Sequence, residues 1–425
     1  MNRALSYVSV GAVAALPRLA VLAVERGKIT SAFTDKGDAF ARTFASSGTY
    51  GFVPGHPSAY TQPLYGWFLI PLYWTFGRHW EVVGLAQTAV AVGTALLVYE
   101  IGRRVVSPIG GLVAAVLTTL HPYLIWHDVH MNREILDQFL AAAIVLLTLV
   151  AAARPTVRVA ALLGIGLGLA ILGNVRLAAL PLLVCAFVLW QSRWRRVAFA
   201  FTGVTLALTA LTVAPWVVRN RVSVGCFAVT TDARALWKAN NPNTYRVLTH
   251  GGWIDDVPSI PGAPPTPEYA WGLWRATGRY EAVDECAQMD FYSHRTHAFW
   301  IHHLGTKAKL ALLSAQMLWQ PSVVETSGRG NAGTFIDSVR TSTEPAYMIV
   351  LYVFAAAGLF FVARTFAVLA VLLLAYQTVV AMVFVGVTRY RVPWDFLICV
   401  LASGAVLALV RRVAETRFVG AKVQT

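Results

Sequence analysis

Apolar runs long enough to cross a lipid bilayer recur along this chain, and nothing else in the sequence restricts the fold as strongly. A hydrocarbon core about 30 Å thick is spanned by roughly 17 to 25 helical residues. A scan at that length places helices near 5–24, 81–101, 109–126, 135–153, 158–173, 177–190, 198–217, 346–363, 366–386 and 393–410, ten in all. A soluble fold would need charged surface to cover them, yet of the 425 residues 57% are hydrophobic and only 13% charged, against about 25% charged in ordinary soluble domains. The sequence therefore predicts an all-α polytopic membrane protein with about ten transmembrane helices and excludes a cytosolic enzyme. The first run, Ala4 to Val24, lacks a small-residue cleavage site and reads as a retained helix, not a signal peptide.

Charge distribution sets the expected orientation. A net charge of +14 would suggest nucleic acid in a soluble chain, but here it reports topology, and no nucleic-acid partner is expected. Arg103-Arg104, Arg154 with Arg158, Arg193 with Arg195-Arg196, Arg364, and Arg411-Arg412 with Arg417 fall on one side if both termini are cytoplasmic. That orientation leaves a first outer loop, 25–80, inside an N-terminal membrane module 1–217. A large outer segment, 218–345, and a C-terminal membrane module, 346–425, follow. Two further apolar stretches, Pro63 to Phe76 and Ala298 to Leu318, carry prolines or basic residues and are placed as outer-face interfacial helices. Cys185 and Cys399 lie in apolar runs; a disulfide between Cys226 and Cys286 stays open.

The arginines expected at the outer ends of helices, Arg176, Arg219, Arg221, Arg389 and Arg391, oppose the positive-inside rule. A guanidinium at that depth can grip a phosphate through two parallel hydrogen bonds; snorkelling to ordinary lipid phosphates is the plainer reading. Acidic residues are few on the same face. Asp35-Lys36-Gly37-Asp38 opens the first outer loop, and His127-Asp128-Val129-His130 precedes Arg133-Glu134 after the third span. A carboxylate pair can supply a general base or a metal ligand. A divalent metal at Asp35, Asp38, His127 and His130 is left open, and solvated turns and helix-end stabilisation of Glu134 are the alternatives.

The order of these landmarks resembles the class C (GT-C) integral-membrane glycosyltransferases, in particular the dolichyl-phosphate-mannose protein mannosyltransferase-like family and its aminoarabinose transferase relatives. The resemblance is carried by Gly37 to Phe52 (GDAFARTFASSGTYGF), Gln62 to Gly77 (QPLYGWFLIPLYWTFG) and Leu120 to Leu136 (LHPYLIWHDVHMNREIL). It continues through Leu172 to Leu183 (LGNVRLAALPLL), Ala214 to Phe227 (APWVVRNRVSVGCF), Leu236 to Asn243 (LWKANNPN) and Thr388 to Gly404 (TRYRVPWDFLICVLASG).

The resemblance implies a GT-C fold and transfer of a sugar, with inversion, from a polyprenyl-phosphate donor to a lipid, glycan or protein acceptor on the outer face of the cytoplasmic membrane. No cofactor is required by that chemistry. It implies Asp38 as the base, with Asp35 the competing choice, and Glu134 and Asp128 as supporting acids toward the acceptor. Arg219, Arg389, Arg391 and Arg176 would hold the leaving lipid phosphate, and Trp237, Lys238, Asn240 and Asn241 would contact the donor sugar. A glycan polymerase or ligase using a diphosphate-linked carrier is the alternative. A secondary transporter fits less well, because the spans hold few ionisable groups near their middles.

Overall fold

The computed structural model describes residues 3–25, 35–322 and 335–423. The start of the expected first outer loop, 26–34, and residues 323–334 of the second outer segment lie outside them. Among the described residues there are helices and one isolated β-bridge, Val53 to His56.

The chain begins with α1 (Arg3–Glu25), α2 (Lys36–Ser47), α3 (Pro63–Phe76), α4 (Trp80–Val105), α5 (Pro108–Thr119), α6 (Pro122–His127), α7 (Glu134–Ala153) and α8 (Val157–Gly173). It continues with α9 (Leu180–Gln191), α10 (Arg196–Ser223), α11 (Ala233–Lys238), α12 (Thr244–Thr249), α13 (Pro267–Thr277), α14 (Glu285–His302) and α15 (Leu304–Leu318). The last four are α16 (Phe335–Gly358), α17 (Arg364–Val383), α18 (Thr388–Arg391) and α19 (Asp395–Val423). Among the described residues six helices are long and apolar enough to cross a membrane: α1, α4, α7, α10, α17 and the stretch Thr388–Thr416. Three shorter apolar helices stand where the fifth, the sixth and part of the third span are expected.

The third expected span, 109–126, is not one helix. α5 ends at Thr119, and Pro122 opens α6 as its first residue, because proline has no N–H to continue the ladder across His121. Similar local signals fix the small helices that frame the site. Asp35 caps α2 through Gly37 N, and Gly48 closes it at φ 72°, a left-handed conformation that costs glycine little. Thr266 caps α13, with Pro267 at its first position.

Long helices pack through small residues. A Cβ on Gly164 or Gly168 of α8 would lie 2.6 Å from Thr205 O and 2.5 Å from Thr212 Cβ of α10, so this pair needs the small-xxx-small spacing that lets backbones approach. The main apolar core joins α4, α7, α8, α9, α16, α17 and α19. A second core gathers Phe40 of α2, Tyr65, Leu69 and Tyr73 of α3, Ile135 of α7 and Trp216 of α10. It holds α2 and α3 against the ends of the long helices. Cys226 and Cys286 form a disulfide that ties the end of α10 to the start of α14.

Candidate active site

Four segments far apart in sequence meet where α2 begins: the first turn of α7, the link after α8, and α18 join it. The backbone N–H of Asp35 donates to Met131 O at 3.0 Å, which docks the first outer segment onto the turn before α7. That turn is rigid. Gln87 of α4 donates to Asp128 O at 2.6 Å and His130 O at 2.7 Å and accepts from Tyr65 Oη, while Asn132 donates to His127 O and His130 O. A glutamine inside a long apolar helix thus serves to satisfy buried carbonyls.

Charged groups cluster around this turn. Arg389 Nε donates to Glu134 Oε1 at 2.5 Å, and Asn174 Nδ2 donates to Asp137 Oδ2 at 3.2 Å. The Arg176 guanidinium lies 3.8 Å from the centre of the Tyr390 ring, a cation–π contact. Arg133 donates to Gln62 Oε1 at 2.7 Å. Burial opposes the charge on Arg133, but Glu134, Asp137 and Asp35 together hold its guanidinium above the usual range. Arg133 Nε, Glu134 Oε2 and Asp137 Oδ1 are buried without a hydrogen-bond partner. Three neighbouring polar groups in that condition mark a place prepared for a polar ligand.

Of the two aspartates, Asp38 is fully engaged. It is buried, and accepts from Arg78 Nε at 2.8 Å, Arg78 Nη2 at 2.9 Å and Tyr73 Oη at 2.6 Å. Asp35 is half-buried and accepts one backbone N–H, from Gly37, through Oδ1. The preference for Asp38 drawn from sequence does not suit this geometry, because a carboxylate bridging a guanidinium and a phenol has little capacity for another proton donor.

The arginine set divides as well. Arg176 and Arg389 join Arg133 in the cluster, and Arg391 does not. Its guanidinium is fully buried, pairs with Asp395 at 2.8 and 3.2 Å, and donates to Leu318 O and Gln320 O. Arg219 donates to Ser58 O, Asn220 Oδ1 and Tyr50 O, fastening α10 to the first outer segment.

The remaining sequence candidates have partners within the fold. Asp128, expected as a supporting acid with a solvated turn as the alternative, is buried and paired with Arg18 Nη2 at 2.5 Å, because α1 passes over it. Burial pushes the His127 pKa down to about 3, so the imidazole is neutral. His130 Nε2 is 3.2 Å from Glu25. Among the described residues no three His, Cys, Asp or Glu side chains come together as a metal site, so Asp35, Asp38, His127 and His130 do not assemble the set left open from sequence.

Trp237 packs with Tyr292 at 5.3 Å between ring centres, and Lys238 pairs with Asp255 at 3.0 Å. Asn240 accepts from Trp300 and Lys307, and Asn241 donates to Trp237 O and Lys238 O. This motif knots α11 to α14 and α15. The sequence reading named Arg133 without a role and passed over Asp137 and Tyr390; the spacing of Arg133, Glu134 and Asp137 on one helical turn was the available signal.

Residues 55–218 match the sequence model of the dolichyl-phosphate-mannose-protein mannosyltransferase family. Among solved structures, the archaeal oligosaccharyltransferase AglB from Archaeoglobus fulgidus, in complex with an inhibitory peptide and a dolichol-phosphate, aligns with a TM-score of 0.53 at 15% identity. The chain has the GT-C fold. The alignment covers 97% of this chain and 51% of AglB, so the chain spans about half the length of that relative. ArnT from Cupriavidus metallidurans, in its apo state, aligns with a TM-score of 0.42 at 16% identity, over 92% of this chain and 76% of that one. No curated protein matches the chain.

Proposed function

We propose that this GT-C chain transfers a sugar from a polyprenyl-phosphate donor to an acceptor hydroxyl at the outer face of the cytoplasmic membrane. The observation that carries the reading is the convergence of Arg133, Arg176 and Arg389 on Tyr390 beside Asp35. In a direct displacement the acceptor oxygen attacks the anomeric carbon from the face opposite the phosphate and inverts it. The hydroxyl proton passes to the Asp35 carboxylate. The bond from the anomeric carbon to the phosphate oxygen breaks, and its electron pair leaves on the phosphate.

Charge grows on that phosphate in the transition state, where preorganised guanidinium donors stabilise it most. Glu134 holds Arg389 in place, and Asp137 does the same for Asn174. Asp38 fixes Arg78 and Tyr73 under α2 instead of acting as base. The outer-face placement is supported by the cytoplasmic arginine pattern and by the Cys226–Cys286 disulfide, since such bonds persist in oxidising compartments.

The test uses the chain in lipid with a panel of radiolabelled polyprenyl-phosphate sugars. One donor should be consumed by wild type, and Arg389→Ala should raise the donor KM about tenfold by removing a charge-assisted contact. Three arginines in one cluster also have capacity for a diphosphate, which favours the polymerase or ligase as second reading. Turnover of a diphosphate-linked glycan alone would replace the first reading with the second.

A further inference from the structure

A cleft of about 460 Å³ opens between α2, the Phe52–Pro54 turn, the end of α3 and α13, and none of the clustered arginines lines it. Its size is that of small-ligand sites. Four aromatic rings, Phe52, Tyr73, Trp271 and Trp274, form its walls together with the guanidinium groups of Arg42 and Arg78.

The walls are braced. Trp271 stacks on Phe52 with ring centres 4.9 Å apart and planes at 19°. Arg78 is fixed by its two hydrogen bonds to Asp38. Arg42 touches Asp38 at 4.0 Å and is more than half exposed, so most of its donor capacity turns to the cleft. Two guanidinium groups against one carboxylate leave a surplus of one positive charge. Ala39, on the cleft wall, follows Asp35 by one helical turn, a rise of about 6 Å.

Rings and donors together select the ligand class. A free inorganic anion has no use for four aromatic walls, and a hydrocarbon chain would desolvate two guanidinium groups without compensation. A pyranose has apolar faces to lay on indole and hydroxyls to accept from arginine, and a single acidic substituent matches the surplus charge. We propose that the cleft binds the acceptor as an acidic saccharide, its ring on Trp274 and its carboxylate on Arg42, with its far end toward Asp35. The proposal rests on the transfer reaction above and names the acceptor class for it.

Binding to the full chain in lipid nanodiscs can be read without turnover, by tryptophan fluorescence and saturation-transfer NMR. The probes are galacturonosyl-galactose, a disaccharide with one carboxylate, and its neutral counterpart, galactobiose. Wild type should bind the acid about tenfold more tightly, the weight of one charge-assisted contact. Arg42→Gln, on an exposed side chain, should bring the two probes to within about twofold of each other. Trp274→Ala should weaken both about tenfold, and Trp274→Phe, which keeps a ring, should fall between.

Equal binding of the two probes, no binding, or indifference to both Arg42→Gln and Trp274→Phe would overturn the assignment. So would displacement of the disaccharide by dihexanoyl phosphatidylglycerol, which would give the cleft to a lipid headgroup. A chain that transfers sugar but binds neither disaccharide refutes the cleft alone. One that binds galacturonosyl-galactose but consumes no polyprenyl-phosphate sugar refutes the reaction alone.

Discussion

Replacing each aspartate of the first outer segment by asparagine separates structure from chemistry. Asp38 receives three hydrogen bonds, two from Arg78 and one from Tyr73, and is almost wholly buried. Asparagine keeps one acceptor and loses the charge, so at least one charge-assisted contact, about 1.5–3 kcal/mol, disappears. A fully buried pair broken on one side costs about 3–5 kcal/mol, but Arg78 is about one-third exposed, and water recovers part of that. Asp38→Asn should therefore destabilise the chain by about 2–3 kcal/mol while molecules that stay folded retain turnover within about tenfold of wild type. Asp35→Asn behaves in the opposite way. Asparagine caps a helix as well as aspartate does, so stability should hold, while loss of the base should lower kcat by about 10²–10⁴. Detergent-unfolding midpoints and single-donor turnover per folded molecule, measured on both variants, read the two effects apart. Unchanged stability with abolished turnover in Asp38→Asn would return the base to Asp38 and refute the reasoning.

Arg18→Met should strand the buried Asp128 carboxylate and cost about 3–5 kcal/mol; adding Asp128→Leu should recover most of it, as seen in unfolding midpoints of single and double variants. Cys226→Ser should loosen the segment between α10 and α14, since a closed loop of 60 residues is worth up to about 4 kcal/mol; faster proteolysis of that segment than of the membrane helices is the readout. His127 adds a pH dependence. Its pKa is held near 3 in the fold against about 6.5 unfolded, so below about 6.5 the unfolded chain binds the extra proton. Its stabilising contribution is present above that pH and lost on acidification toward 3, by up to about 1.4 kcal/mol per unit. His127→Gln should flatten that part of the stability profile, and an unchanged slope would show that His127 does not carry it.

Several elements of the fold were legible because their signals are local. The apolar runs give most of the long helices within a few residues, while the caps at Asp35 and Gly48 of α2 and Thr266-Pro267 of α13, local signals too, went unread. The kink at His121-Pro122 was visible as a proline and was nonetheless read through, because hydropathy continues unbroken across it. The candidate site was less legible. Asp128 and His127 look like polar turn residues until α1 covers Asp128 and α16 packs on α6. Arg133 resembles a solvated residue at a helix start until Gln62, Asp35 and α18 close around it.

The sequence alone determined that the chain lives in a membrane, how its helices are ordered and which family it resembles, since transfer from water to hydrocarbon adds up residue by residue. Tertiary structure decided which charges meet. Arg389 and Arg391 differ by two positions, which is about 200° around a helix, and so one faces Glu134 while the other is buried against Asp395. Asp35 and Asp38 part in the same way, one a cap at the helix start and the other turned under it onto Arg78. A side chain's partner depends on which distant backbone comes to rest within about 3 Å of it, and no local pattern encodes that distance.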